Sequence, residues 1–283
     1  MSMIAIDWGT SSFRAYRLDA QGGILESRTS GQGILHVPPG QFARVLEEQV
    51  RGWEDAPIVM SGMVGSRQGW VEAPYVQCPA GYDEIAAALK PVSWGKRKAW
   101  IVPGVSCRDA AGVPDVMRGE ETQILGCGVD GTICLPGTHS KWVEVRGGRI
   151  ERFSTAMTGE TYAVLKQHSI LGRMMEEGAA DGEAFAQGVR RSGDEGGLLH
   201  HLFGVRTRGL MGELAPAASA SYLSGILIGH ELRDRASTEV LLLGAPALTA
   251  RYAQAAALLG VGTRTLDADA AVRCLFRLAS SRA

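Results

Sequence analysis

Ile4-Ala5-Ile6-Asp7-Trp8-Gly9-Thr10-Ser11-Ser12-Phe13-Arg14 opens the chain, and its reading decides the fold. Ile4 to Asp7 is a short apolar run ending on an acid, Gly9 to Ser12 is small-residue turn chemistry, and Phe13 to Leu18 alternates apolar with polar. That pattern predicts two strands joined by a tight turn. Gln21-Gly22-Gly23 makes the next turn, and a third strand near Ile24 to Arg28 completes an antiparallel meander. Phe42, Val45, Leu46 and Val50 recur at helical spacing over residues 41–53, and Ile58-Val59-Met60 reads as a buried strand.

The opening recurs between Thr132 and Arg152. Ile133-Cys134-Leu135 leads into Pro136-Gly137-Thr138-His139-Ser140, then Trp142 to Val145, then Arg146-Gly147-Gly148, then Ile150. Strand, small-residue turn, strand, Gly-Gly turn, strand is the same architecture with little sequence identity, so two related α/β domains are expected. The length of 283 residues agrees, at roughly 100–200 residues per domain. The boundary is placed near residues 104–116, giving domains 1–110 and 111–283, with the last helix packing back on the first. Two helices are expected to cross between them. Arg118 to Cys127 leads with Glu120 and Glu121, acids suited to a first turn. Ser219 to Leu232 places Ser221, Gly225 and Gly229 on one smooth face, which in a water-soluble chain means tight helix packing.

Composition narrows the function. The chain is 45% hydrophobic and 21% charged with a net charge of −1, so it can bury a full core and carries no footprint for nucleic acid or an anionic membrane. The longest apolar segments, Leu223 to Ile228 and Val240 to Leu243, fall short of the ~18–20 residues of a membrane span, and no secretory signal precedes Asp7. A cytoplasmic protein is expected. Five cysteines, odd in number and never spaced as a metal pair, read as reduced core thiols. Small-residue faces and apolar helices suit a monomer or a homodimer equally.

Phosphate binding needs clustered backbone N–H donors with no side chain in the way. No Walker-type loop occurs, and Gly126-x-Gly128-x-x-Gly131 follows a helix and precedes a strand, the reverse of the dinucleotide context, so it reads as a helix cap and turn. Asp7 with Gly9, Thr10, Ser11 and Ser12 is the first candidate; taken alone it also reads as an ordinary hairpin. It resembles the first phosphate loop of the actin, Hsp70 and hexokinase superfamily, where the matching carboxylate holds Mg²⁺ and the turn amides meet the transferring phosphate. Gly137-Thr138 matches the second phosphate loop; His139 and Lys141 are within reach of phosphate or are polar residues at a strand entrance. Val240 to Leu248, a buried strand running through Gly244 and Ala245 into a helix, resembles the adenosine motif. Glu120 matches the superfamily's catalytic base, with Glu121 in reserve; the plain alternative is two acids stabilising a helix start. Ser61 to Tyr75 sets Arg67, Gln68 and Trp70 on a glycine-rich stretch, either a structural loop or a face whose guanidinium suits a substrate carboxylate.

Together Ile-Asp-Trp-Gly-Thr-Ser, Ser-Gly-Met-Val-Gly-Ser-Arg-Gln-Gly-Trp, Met-Arg-Gly-Glu-Glu-Thr-Gln and Leu-Pro-Gly-Thr-His-Ser-Lys-Trp resemble the 2-dehydro-3-deoxygalactonokinase family over essentially the whole chain. The resemblance implies two ribonuclease-H-like domains of the actin/hexokinase-type ATPase fold, an interdomain nucleotide cleft, and ATP and Mg²⁺ as cofactors. It also implies a small sugar-acid substrate phosphorylated at its 6-hydroxyl in galactonate degradation. One departure stands out: the second loop has no Asp before its Gly-Thr, which leaves Asp7 as the metal-side carboxylate and His139 without a clear role.

Overall fold

The computed structural model describes residues 2–53, 56–95, 97–235, 238–267 and 270–282. In chain order the strands are β1 (Met3–Trp8), β2 (Phe13–Leu18), β3 (Ile24–Ser30), β4 (Ile58–Ser61), β5 (Tyr75–Gln77), β6 (Lys90–Trp94), β7 (Arg97–Ile101), β8 (Gly104–Arg108) and β9 (Pro114–Met117). They continue with β10 (Gly131–Leu135), β11 (Ser140–Arg146), β12 (Arg149–Ala156), β13 (Glu239–Leu242) and β14 (Gly262–Thr265). The helices are α1 (Phe42–Gln49), α2 (Tyr82–Ala87), α3 (Glu120–Cys127), α4 (Thr158–His168), α5 (Gly182–Arg191), α6 (Gly197–Leu210), α7 (Ser219–Arg235), α8 (Pro246–Leu258) and α9 (Ala270–Ser280).

The repeated sequence pattern is a repeated topology. One sheet runs β3-β2-β1-β4-β7-β6 and a second runs β12-β11-β10-β13-β14, so in each a three-strand meander continues into further strands, three in the first sheet and two in the second. β1 pairs with β2 antiparallel, Trp8 opposite Phe13, and with β4 parallel, Asp7 opposite Ser61. In the second sheet β10, β13 and β14 are parallel, with Cys134 opposite Leu242 and Leu242 opposite Thr265. Strands paired in parallel on both sides are buried on both faces, which is why Ile58 to Met60 and Val240 to Leu242 read as unbroken apolar runs. A third, small sheet runs β5-β8-β9.

The chain divides into two compact units. One comprises Met1–Asp130, Val143–Phe153 and Asp267–Ala283; the other comprises Gly131–Trp142 and Ser154–Leu266. The core of the first packs Ile4, Ile6, Trp8, Phe13, Leu46, Ile58, Met60 and Ile101, with Trp8 edge-on to Phe13 at 5.0 Å. In it α9 lies on α3, β1 and β4. The second unit has an apolar core around Val240, Leu242, Tyr252, Phe185 and Leu232.

The smooth face of α7 does what its spacing predicts. A Cβ on Gly225 would stand 2.1 Å from Phe185 O, and one on Gly229 would stand 2.4 Å from Ser192 Oγ, while Gly188 meets Tyr222 O just as closely. Helices α5 and α7 therefore touch backbone to backbone. Gly128 caps α3 in the left-handed conformation at φ 64°, which settles its glycine pattern as a helix end. Among the described residues no helix is long and apolar enough to cross a membrane.

Candidate active site

In the first unit three segments converge on Asp7. It is the next-to-last residue of β1, half-buried, with Arg14 Nη1 3.9 Å away, and burial pushes its carboxyl above the ordinary range while Arg14 opposes this. The turn after it closes through Gly9 N–H donating to Ser12 O at 3.0 Å, and Ile34 N–H braces it from behind by donating to Gly9 O at 3.0 Å. Thr10 and Ser11 stay exposed, and Gly33 packs under the turn with no room for a side chain. Beside it runs Gly62 at φ 93°, where a Cβ would stand 2.8 Å from Trp8 O and 3.3 Å from Asp7 Oδ1. Gly119, at φ 110°, comes equally near Gly62: its Cβ would lie 3.3 Å from Gly62 Cα. Only glycine allows these approaches, and they bring the start of α3 to the end of β1.

That placement separates the two acids of α3. Glu120 is half-buried, and its Oε2 accepts Arg118 N–H at 3.0 Å. Glu121 is fully buried, its Oε2 accepting Gly119 N–H at 2.7 Å and its Oε1 having no partner. Burial, with the Glu120 charge second, pushes its carboxyl up to about 8. Of the two, Glu120 is the acid that keeps exposed surface.

The segment after β4 is a short 3₁₀ turn (Met63–Gly65) and a loop leading to β5. Trp70 stacks on Phe42 at 6.4 Å and belongs partly to the core. Gln68 is exposed, and Arg67, exposed as well, pairs with Glu72 at 3.1 Å. A cation that sequence reading passed over lies beneath them: Arg118 is buried, donates to Ala73 O at 2.8 Å and stands 4.4 Å from the Tyr75 ring centroid. Its Nε and Nη1, with the Ser61 and Ser66 hydroxyls and Glu121 Oε1, are the buried side-chain atoms left without hydrogen bonds among the described residues. Such atoms are few in any fold.

The second unit holds a cavity of about 590 Å³ lined mostly by apolar side chains, among them Leu227, Ile228 and Leu248. Gly137, Thr138 and Ala245 open onto it, and Gly244, at φ 145°, sits against Pro136 O, where a Cβ would lie 3.7 Å away. The second turn and the strand-Gly-helix join are thereby brought together. Ala245 is the N-cap of α8, with Pro246 opening that helix. His139 is exposed and paired with Glu160, whereas Lys141 is buried with its Nζ donating to Thr155 Oγ1 at 2.9 Å. Four lining residues, Thr158, Gly159, Tyr162 and Arg251, carry no signal that the sequence reading used. Thr158-Gly159-Glu160, small residues and an acid opening a helix, was the cue available.

Residues 7–278 match the family model described as 2-keto-3-deoxy-galactonokinase. A Rhizobium meliloti (strain 1021) protein named as a 2-dehydro-3-deoxygalactonokinase is 38% identical, over 95% of this chain and 93% of its own. The 2-dehydro-3-deoxygalactonokinase of Escherichia coli (strain K12) is 36% identical, over 97% of this chain and 96% of its own. A crystal structure of a Sinorhizobium meliloti protein assigned to the same activity superposes with a TM-score of 0.91 at 36% identity, covering 99% of this chain and 98% of that one. More distantly, the activator of the 2-hydroxyisocaproyl-CoA dehydratase from Clostridium difficile, solved with bound ADPNP, shares the fold at a TM-score of 0.52 and 14% identity, over 100% of this chain and 96% of that one.

Proposed function

The chain belongs to the 2-keto-3-deoxy-galactonokinase family, and from that premise we propose how its residues transfer the γ-phosphoryl of ATP to the 6-hydroxyl of 2-dehydro-3-deoxygalactonate. It is an ATP-dependent sugar kinase of galactonate catabolism with the actin/hexokinase-type ATPase fold. The observation that carries the reading is the family match itself, which spans both glycine-threonine turns and the Glu120 helix start.

The apolar cavity of the second unit suits the base and ribose of the nucleotide, with Gly244 and Ala245 as its backbone wall. Gly137 and Thr138, at the cavity's edge, suit the phosphates, and so do the turn amides of Gly9, Thr10, Ser11 and Ser12 in the first unit. Glu120 is the general base, accepting the 6-hydroxyl proton as the oxygen attacks phosphorus. In a loose phosphoryl-transfer transition state that task is modest beside positioning and charge neutralisation. Arg67 is the cation for the substrate carboxylate, with Gln68 and Trp70 beside it; an exposed arginine on a glycine-rich loop is free to leave Glu72 for a ligand.

Asp7 fits Mg²⁺. Mg²⁺ is usually bound by one or two carboxylates together with water and substrate phosphates, and Asp7 would be such a carboxylate. Burial disfavours the Asp7 charge, a cost that a divalent cation would offset. When bound, the ion would neutralise charge on the phosphates. An ATP-dependent step on a catabolic intermediate belongs in the cytoplasm.

A coupled ADP-release assay with ATP, Mg²⁺ and a panel of 2-keto-3-deoxy acids and aldonates tests the reading. Turnover confined to the galacto compound is expected. Turnover on the gluco epimer as well would keep the kinase and widen its substrate, and no turnover on any acid would overturn the reading.

A further inference from the structure

The first turn is preceded by Asp7, and the second has no acid before its Gly137-Thr138. In the folded chain a carboxylate reaches that second turn from another element. Glu160, on the first turn of α4, pairs its carboxylate with His139 Nε2. The backbone builds this approach in. Glu160 N–H donates to Thr138 O at 3.0 Å, and Gly159 lies so near that a Cβ there would stand 2.4 Å from Gly137 O and 2.8 Å from Thr138 Cα. Turn and helix start are one piece, and Gly137, Thr138, Thr158 and Gly159 line the same cavity.

A carboxylate only accepts, so Nε2 carries a hydrogen and donates it to Glu160. Nδ1 is then the ring nitrogen left to face a ligand. The two side chains are 48% and 42% exposed, and ion pairs that open add little to stability. What the pair does is hold the imidazole in one orientation beside a turn of phosphate-binding shape.

We propose that His139 binds the polyphosphate of the nucleotide through Nδ1, and that Glu160 is the positioning residue that orients it. The inference rests on the kinase reading and adds to it an imidazole at the second turn and the carboxylate that aims it. No bond is made or broken at either residue.

Equilibrium binding of AMP, ADP and ATP, with Mg²⁺ present, to the full chain and to His139→Asn, Glu160→Gln and the double variant tests it. ATP affinity is expected to fall about tenfold in each single variant, a loss equivalent to 1.4 kcal/mol, while AMP affinity moves less than about twofold. The double variant is expected to lose no more than either single one, because two residues acting through one contact are not additive. Thermal melts within about 2 °C of wild type would show that the fold is intact. Equal losses for AMP and ATP, or none in His139→Asn, would overturn the proposal, and additive losses would remove Glu160 from it. Should Glu160→Gln fail to fold, His139→Asn and His139→Gln carry the test alone. A wild-type chain that binds no ATP and turns over no sugar acid defeats the kinase reading itself, and that is seen before any variant is compared.

Discussion

Two adjacent acids open α3, and a helix turns about 100° between neighbours, so Glu120 and Glu121 must face different surroundings. The sequence shows that they diverge and is silent on which one faces a ligand. Burial tells them apart, because α9 covers the side on which Glu121 lies, near enough for its charge to act on the Cys274 thiol. With its carboxyl pushed up to about 8 by that burial, the folded chain binds a proton there that the unfolded chain has released above the ordinary value of 4.5. Stability from this group is therefore full below about 4.5, falls as pH rises, and is lost above about 8. Thermal melts from pH 5 to 9 are expected to show a steeper decline for wild type than for Glu121→Gln, and parallel curves would mean that Glu121 stays charged in the fold. Kinetics should separate the other side chains by role. Glu120→Gln is expected to lower kcat about 10²–10⁴-fold with the fold intact, whereas Arg67→Ala is expected to raise KM for the sugar acid and leave kcat nearly unchanged. Near-normal kcat in the first variant, or unchanged KM in the second, would strike that residue from its role.

Elements with strong local signals were legible, and those defined by distant partners were not. The first meander, the buried β4 and β13, and the small-residue face of α7 follow from period and composition alone. The helical signal over residues 41–53 yields a helix only from Phe42 to Gln49, because Gly52 at φ 81° and the buried Trp53 end it in turns. β5, by contrast, is three residues with mostly exposed side chains, and it exists because it pairs with β8 in parallel, Val76 opposite Val105. No window of sequence contains that pairing. α4 is missed for a related reason: none of its residues is fully buried, so it has no apolar stripe to announce it, and yet its first turn shapes the second glycine turn. The α5–α7 contact gives the sharpest test at this scale. Gly225→Ala puts a methyl 2.1 Å from a backbone oxygen that cannot move without shifting a helix. A loss of about 3 kcal/mol is expected, on the order of 5–10 °C in Tm by calorimetry. An unchanged melt would mean that the helices part without cost.

On the scale of the whole molecule, the chain leaves its first unit after Asp130, returns for Val143–Phe153, and returns again at Asp267 to finish it. The last segment is structural in a measurable sense. α9 buries Val272, Cys274, Leu275 and Leu278 against α3, β1 and β4, and its backbone comes so close to α3 that a Cβ on Gly126 would stand 1.8 Å from Ala270 O. Burying three large aliphatic side chains is worth roughly 1.5–3 kcal/mol each. Their sum, about 5–9 kcal/mol, rivals the ~5–15 kcal/mol by which a whole domain is stable. A chain ending at Leu266 also uncovers the Glu121 carboxyl and the inner face of the helix that carries Glu120. Such a chain is expected to lose the first unit's cooperative fold, and with it turnover, while every proposed site residue is still present in its sequence. Limited proteolysis would read this directly: cleavage should spread through the β1–β4 region, which the full-length chain protects. A truncated chain that resists protease and phosphorylates the sugar acid at the full-length rate would show that α9 only decorates the unit, and that the first sheet with α3 holds the base in place unaided.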